Sequence, residues 1–175
     1  MKKLLVLAVL LMVFVASPVM AKEGFYLGAF IPNNTISGDA GAGTSSGSGW
    51  GLRVGNGLNR YLAIEGNYST TSHDSVDLKG LAVDLKLNFP LTTLDSAQVM
   101  SLEPYILIGY THYEIGDSTT FKSDGLQYGI GIELYLFKEL SVNVGLTKSA
   151  VSFDTSPKLD GTVKTLDIGL IYHFI

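Results

Sequence analysis

Gly80-Leu81-Ala82-Val83-Asp84-Leu85-Lys86-Leu87-Asn88-Phe89 places an apolar residue at every odd position from 81 to 89, with small or polar residues between them. A repeat of two is that of a β-strand, whose side chains point alternately to opposite faces. One face of this segment is therefore entirely greasy, while the other carries an acid, a base and an amide. A soluble barrel has the reverse arrangement, with a polar exterior around an apolar cavity. The stretch thus predicts a strand that turns its grease to lipid and its charge inward, as in a transmembrane β-barrel.

The same alternation recurs on both sides of this segment. At the carboxyl end, Phe174, Tyr172, Leu170, Ile168 and Leu166 interleave with His173, Ile171, Gly169, Asp167 and Thr165. A tilted spanning strand needs about 9 to 11 residues, and the chain divides into eight such pieces. They are Gly24 to Pro32, Ser48 to Asn56, Arg60 to Ser69, Leu78 to Phe89, Pro104 to Glu114, Gly125 to Phe137, Leu140 to Ser149 and the terminal strand. In the second, Arg53 must face inward, because a guanidinium in lipid costs about 2 to 4 kcal/mol. The fifth is ambiguous, with Ile106, Leu107 and Ile108 apolar on both faces; Ile106, Ile108 and Tyr110 are placed outward, leaving Gly109 and Thr111 inside.

An even count returns the last strand to the first and lets the sheet close. The connections alternate in length. Asn56 to Asn59 and Phe137 to Glu139 read as tight turns, whereas Asn33 to Gly47, Thr70 to Asp77, Ile115 to Asp124 and Ala150 to Gly161 read as longer polar loops. Short periplasmic turns and long external loops are the expected asymmetry. Pro90 to Glu103 departs from it, as a loose turn or an amphipathic pad.

Upstream, Lys2 and Lys3 precede an apolar run from Leu4 to Ala16, and Val19-Met20-Ala21 supplies small residues for cleavage. This reads as a signal peptide over residues 1–21. Ser17 and Pro18 interrupt the run too early for an anchoring helix of about 20 apolar residues. The expected mature part, 22–175, forms one domain and keeps ten bases against sixteen acids, a balance that argues against nucleic acid as a partner. Cysteine is absent, so disulfides and thiol chemistry are excluded.

Four features together resemble the small eight-stranded outer-membrane barrels of the outer membrane protein A and X type, also described as opacity-like. They are Gly24-Phe25-Tyr26-Leu27-Gly28-Ala29, Ala63-Ile64-Glu65-Gly66-Asn67-Tyr68, Pro104-Tyr105 and Tyr172-His173-Phe174. The resemblance implies an all-β, eight-stranded antiparallel up-and-down barrel in the bacterial outer membrane, with both termini in the periplasm. It implies outer-membrane lipid and lipopolysaccharide as surroundings and the assembly machinery as a partner through the last strand. Ile175 follows the terminal aromatic and displaces that family signal. The peptidoglycan-binding domain of larger relatives is not expected.

The inward set collects Arg53 and Lys86 with Glu65, Asp84, Glu133 and Asp167. Such charge is tolerated in an interior only when it pairs and hydrogen-bonds. Eight strands leave a lumen just wide enough for side chains to fill, which favours an ion-pair plug over a gated polar pore. Glu65 is the expected partner of Arg53 or Lys86, and four acids against two bases suggest that one carboxylate sits at a mouth or holds a proton. Phe25, Trp50, Tyr68, Phe89, Tyr110, Tyr172 and Phe174 fall near the expected strand ends, where they would form interfacial girdles.

No enzyme is indicated. His73-Asp74-Ser75 holds the residue types of a triad, but adjacent side chains in an extended segment diverge, and a solvated loop is the reading preferred. His112 and His173 fall at opposite rims, and without Cys give no metal-ligand spacing. The Gly- and Ser-rich Asp39 to Gly51 lacks the Lys-Ser/Thr ending of a phosphate loop and has the composition of a flexible one. No cofactor is expected. The function anticipated is structural or surface-interactive through the outer loops, whose ligand the residues do not name; a narrow pore and a lipid-modifying enzyme are the alternatives.

Overall fold

The structure is a computed structural model and describes residues 23–38, 43–73, 76–91, 101–116, 121–153 and 159–174. The expected signal peptide, Ile175, and most of the Pro90 to Glu103 connection lie outside the described residues. Eight strands follow in order: β1 (Gly24–Gly38), β2 (Gly43–Gly57), β3 (Leu62–His73), β4 (Val76–Asn88), β5 (Ser101–Ile115), β6 (Phe121–Tyr135), β7 (Leu140–Phe153) and β8 (Leu159–His173). Each pairs antiparallel with the next, and β1 pairs with β8 from Tyr26↔His173 to Gly38↔Gly161, closing the barrel. The Phe174 amide adds a bond to the Phe25 carbonyl at 2.9 Å. Every described strand therefore has a hydrogen-bonded neighbour on both sides, the closed arrangement that lipid demands.

The faces follow the alternation. Leu81, Val83, Leu85 and Leu87 stand exposed on the outer wall of β4, while Asp84 and Lys86 are buried in the lumen. On β5 the outward residues are Ile106, Ile108 and Tyr110, as expected. The greasy outer surface ends abruptly at the pole away from the termini. Ile31, Trp50, Tyr68, Leu81, Tyr110, Leu126, Leu146 and Leu166 are its last apolar residues on the eight strands. Two positions further on, the outward residues are Asn33, Ser48, Thr70, Lys79, His112, Asp124, Lys148 and Lys164.

The strands run beyond this border, which corrects the expected loops. Residues 33–38, 43–47, 70–73, 76–77, 121–124, 150–153 and 159–161 continue the ladders rather than forming polar loops, and the Gly- and Ser-rich stretch from Gly43 to Gly51 is part of β2 rather than a flexible loop. The reason is physical. Above the belt the outward face meets water and carries Ser, Thr and Lys, so the apolar signal vanishes there, while the inward face still packs. Ile36, Leu78, Tyr113, Val151 and Val163 form a buried apolar cluster inside this projecting end, with Ile115 against it. Gly38, at φ 103° where β1 ends, occupies the left-handed region in which a side chain is strained.

At the termini end the connections from β2 to β3 and from β6 to β7 are tight turns. Asn59 Oδ1 accepts the amides of Tyr61 and Leu62 at 2.8 and 2.9 Å, so an Asn side chain rather than a long loop reverses β2 into β3. The expected first residue of the third strand, Arg60, and the last of the sixth, Phe137, belong to these turns.

Eight strands leave little room inside, and the lumen is fitted by setting large residues against glycines of the neighbouring strand. A Cβ on Gly55 would lie 2.1 Å from Tyr26 Cζ, one on Gly51 2.3 Å from Phe30 Cζ, and one on Gly131 2.3 Å from Tyr105 Cζ. Gly55→Val is accordingly expected to cost about 1 to 3 kcal/mol by overpacking. Denaturant midpoints in detergent should show the loss, and a second change, Tyr26→Ala, should return part of it; a Gly55→Val protein as stable as the parent would refute this fit.

Candidate functional site in the lumen

Six ionisable side chains anticipated for the interior converge on the middle of the lumen, each no more than 6% exposed. They form two centres. Arg53 on β2 extends over β1 to β8, where Nη2 donates to Asp167 at 2.7 Å, and Nη1 donates to Asn143 at 2.9 Å. Its path crosses Gly28, where a Cβ would stand 2.8 Å from the Arg53 Cγ. The guanidinium also lies 4.6 Å from the centre of the Phe30 ring. Glu65 is 3.9 Å from Nη1 and accepts a bond from the Tyr26 hydroxyl at 2.9 Å.

Lys86 on β4 likewise reaches past its neighbour β5. Its Nζ donates to Glu133 on β6 at 2.7 Å and sits 4.2 Å from the centre of the Tyr105 ring. Lys86 takes Glu133 Oε2, while Oε1 accepts a bond from Ser141 at 2.6 Å and has His173 Nε2 at 2.9 Å. Asp84 is held by two amides, Gln127 at 2.7 Å and Asn67 at 2.9 Å.

The expected pair of Arg53 and Glu65 is present at 3.9 Å, while the shorter contacts are Arg53 with Asp167 and Lys86 with Glu133, both at 2.7 Å. In their shortest contacts both bases reach past the adjacent strand to the second one over, Arg53 from β2 to β8 and Lys86 from β4 to β6. Of the two alternatives for the surplus acids, the mouth position does not hold, since Asp84, Glu65, Glu133 and Asp167 are all buried.

Apolar layers lie on either side of these centres. Toward the termini Tyr26, Ala63 and Ile171 pack together, with the His173 ring 5.0 Å from Tyr135 and 5.4 Å from Tyr26. At the far end the Ile36 and Val163 cluster closes the lumen. Between the ion pairs and that cluster lies a cavity of about 50 Å³, bordered by Arg53, Asp84, Tyr113, Gln127 and Asp167, room for about three waters.

Tyr26, Asn67, Tyr105, Gln127, Asn143 and Ser141 complete the hydrogen bonds of the charges, and their only signal was an inward position at polar alternation. Glu103 is buried too, but lies one residue before the expected start of its strand. His73 is a correction: rather than facing solvent in a loop, it is buried at the end of β3 beside the hydroxyls of Thr71 (3.2 Å) and Ser45 (3.4 Å). Asp74 and Ser75 lie outside the described residues. His112 sits on the outer face of β5 beside Asp124 at 2.6 Å, at the opposite pole from His173.

The aromatics cluster at two levels of the outer wall. Phe25, Tyr172, Phe174 and Phe89 lie toward the termini, with Phe25 and Phe174 rings 5.3 Å apart. Trp50, Tyr68 and Tyr110 mark the other border, Trp50 and Tyr68 at 5.9 Å. The upper three are at mid-strand rather than near strand ends, because the strands continue past the border. Tyr128, outward on β6, belongs at the same level.

Comparison with known proteins agrees with this geometry. Residues 5–174 match the family described as outer membrane protein beta-barrel domain. No curated protein sequence matches the chain. Among solved structures it is similar to neisserial surface protein A, at 14% identity and a TM-score of 0.68, over 86% of this chain and 97% of that one. It is also similar to the attachment invasion locus protein of Yersinia pestis, at 18% identity and a TM-score of 0.56, over 87% and 99% of the two chains. The latter protein has also been solved with a heparin analogue, sucrose octasulfate, and that structure gives 16% identity and a TM-score of 0.51 over 86% of this chain and 97% of the other.

Proposed function

The chain belongs to the outer membrane protein beta-barrel family of the cell outer membrane, and from that premise we propose that it is a sealed structural barrel whose projecting rim makes the contacts with the outside. In this reading the termini end is periplasmic, residues 1–21 are the export signal, and the last strand is read by the assembly machinery. The lumen ion pairs fix strand register from within, and the two aromatic levels are the interfacial girdles.

The observation that carries the proposal is the succession of fillings along the axis: an apolar and aromatic layer, two hydrogen-bonded ion-pair centres, a small cavity and a second apolar layer. An ion crossing would have to shed water against Ile36, Leu78 and Val163, all about 1% exposed. The rim, by contrast, is a continuation of hydrogen-bonded strands with its own packed core, a stiff platform suited to presenting a surface.

Planar bilayers test this directly. The barrel is expected to give no discrete conductance steps, and neutralising Arg53 is expected to leave the record silent as long as the apolar layers remain. Reproducible steps that change with Arg53 would make it a narrow pore instead. The proposal also makes the barrel non-catalytic, so producing it in a bacterial host should leave the mass spectra of lipid A and phospholipids unchanged; a new lipid species would overturn that part.

A further inference from the structure

From Tyr128 at the border of the apolar belt, one cross-strand row of outward side chains climbs past it through Lys148 on β7, Lys164 on β8, Thr35 on β1 and Ser46 on β2. Lys148 and Lys164 are direct partners in the β7–β8 ladder, and both are exposed. Like charges directly opposite each other on one face of a sheet repel. The remaining rim bases near this border show the usual remedy: Lys122 bonds Glu114 at 2.7 Å, and Lys79 faces Glu114 across the β4–β5 ladder. Among the described residues, neither Lys148 nor Lys164 has an ion-pair partner.

Below this row the outer wall is grooved on both sides. One groove begins at Leu146 and Leu166, just under the two lysines, and runs past Val144 and Ile130 to Ile106 and Phe89 toward the termini. The other runs beside Ala29, Ile31, Trp50 and Ile168, under Thr35 and Ser46, where the small Ala29 leaves a depression between larger neighbours. Two ammonium groups, flanking hydroxyls and a pair of apolar channels beneath them match one kind of molecule. We propose that this face binds a phosphorylated glycolipid of the outer leaflet. A phosphate sits between Lys148 and Lys164 and neutralises their repulsion. Sugar hydroxyls meet Thr35 and Ser46, whose oxygens are 3.4 Å apart, and acyl chains lie in the two grooves. The site lies on the outer wall and does not depend on whether the lumen conducts.

The test uses the full barrel refolded in detergent micelles, with native mass spectrometry as the readout and bisphosphorylated lipid A as the probe. One lipid per barrel is expected to survive transfer to the gas phase. Lys148→Gln with Lys164→Gln should weaken binding about thirtyfold, from about a fivefold contribution per surface lysine, while Lys79→Gln, at the same height on β4, should leave it unchanged. Fully dephosphorylated lipid A should bind the parent as weakly as the probe binds the double variant, and excess inorganic phosphate should not displace the lipid. Equal retention by parent and double variant, or indifference to the phosphate groups, would overturn the proposal. Displacement by inorganic phosphate would overturn the lipid assignment and leave only an anion site. The gel shift between heated and unheated protein confirms that each variant is folded.

Discussion

Arg53→Met is expected to destabilise the barrel by about 3 to 5 kcal/mol, the loss typical when one member of a buried ion pair is removed. The magnitude comes from what is left behind. Asp167 loses a 2.7 Å partner, Asn143 loses a 2.9 Å donor, and Glu65 loses its nearest cation, all in a lumen without bulk water. Methionine fills much of the volume over Gly28, so the deficit is electrostatic rather than a cavity. Urea titration of the refolded protein in lipid vesicles, followed by tryptophan fluorescence and the heat-dependent gel shift, measures it. The double change Arg53→Met with Asp167→Leu should be less harmful than Arg53→Met alone, since it removes an orphaned carboxylate together with its partner. A cycle built from the two singles and the double should therefore give a coupling of at least about 1 kcal/mol. An Arg53→Met barrel within about 1 kcal/mol of the parent would mean that the pair is a bystander in the register, and the plug proposed for the lumen would fail.

Lys86 offers the second arm of the same argument. It is joined to Glu133, which also holds Ser141 and faces His173, so the two centres share the acids of one lumen but touch different strands. Arg53 links β2 to β7 and β8, and Lys86 links β4 to β6. Between them they tie strands that share no backbone hydrogen bonds. A one-residue slip of β2 or β4 would turn its base to lipid, so the pairs oppose misregister even where they add little to net stability.

How far the sequence revealed this varies with the physics at each level. The direction of every spanning side chain was legible because lipid punishes one face and the narrow lumen the other; Leu81 to Phe89 obeys both at once. Even the doubly apolar Ile106-Leu107-Ile108 settled correctly, since Gly109 and Thr111 could only be accommodated inside. The partners of the charges were legible only in part. Choosing neighbours in strand order found Glu65, 3.9 Å from Arg53, but the 2.7 Å contacts span two strands where glycines such as Gly28 open a path, and that geometry has no local signature. The strand extensions were hidden for a different reason. Beyond the belt water replaces lipid, outward residues become Ser, Thr and Lys, and what remains of the pattern is only the inward Ile36, Val151 and Val163, too sparse to distinguish from a polar loop.

Val83→Arg is expected to cost about 2 to 4 kcal/mol, and the same residue at Thr70 about 0 to 1. Both positions are outward, on strands that are neighbours in the sheet, and neither touches the lumen pairs. They differ in what covers them. Val83 is 57% exposed in the middle of the greasy wall, with Leu81 and Leu85 on either side, whereas Thr70 is the first polar residue past Tyr68, where an arginine can reach headgroups and water. Folding titrations in vesicles supply the two numbers, and the same variants in detergent micelles should differ less, because a micelle rearranges around a charge more readily than a bilayer. The comparison bears on the premise beneath both the plug and the lipid site: that the border traced by Trp50, Tyr68, Tyr110 and Tyr128 is where hydrocarbon ends. If arginine were tolerated equally at 70 and 83, the wall would not be facing hydrocarbon at Val83. If it were rejected equally, the belt would extend above Tyr68, and the row holding Lys148 and Lys164 would sit in acyl chains rather than among phosphates.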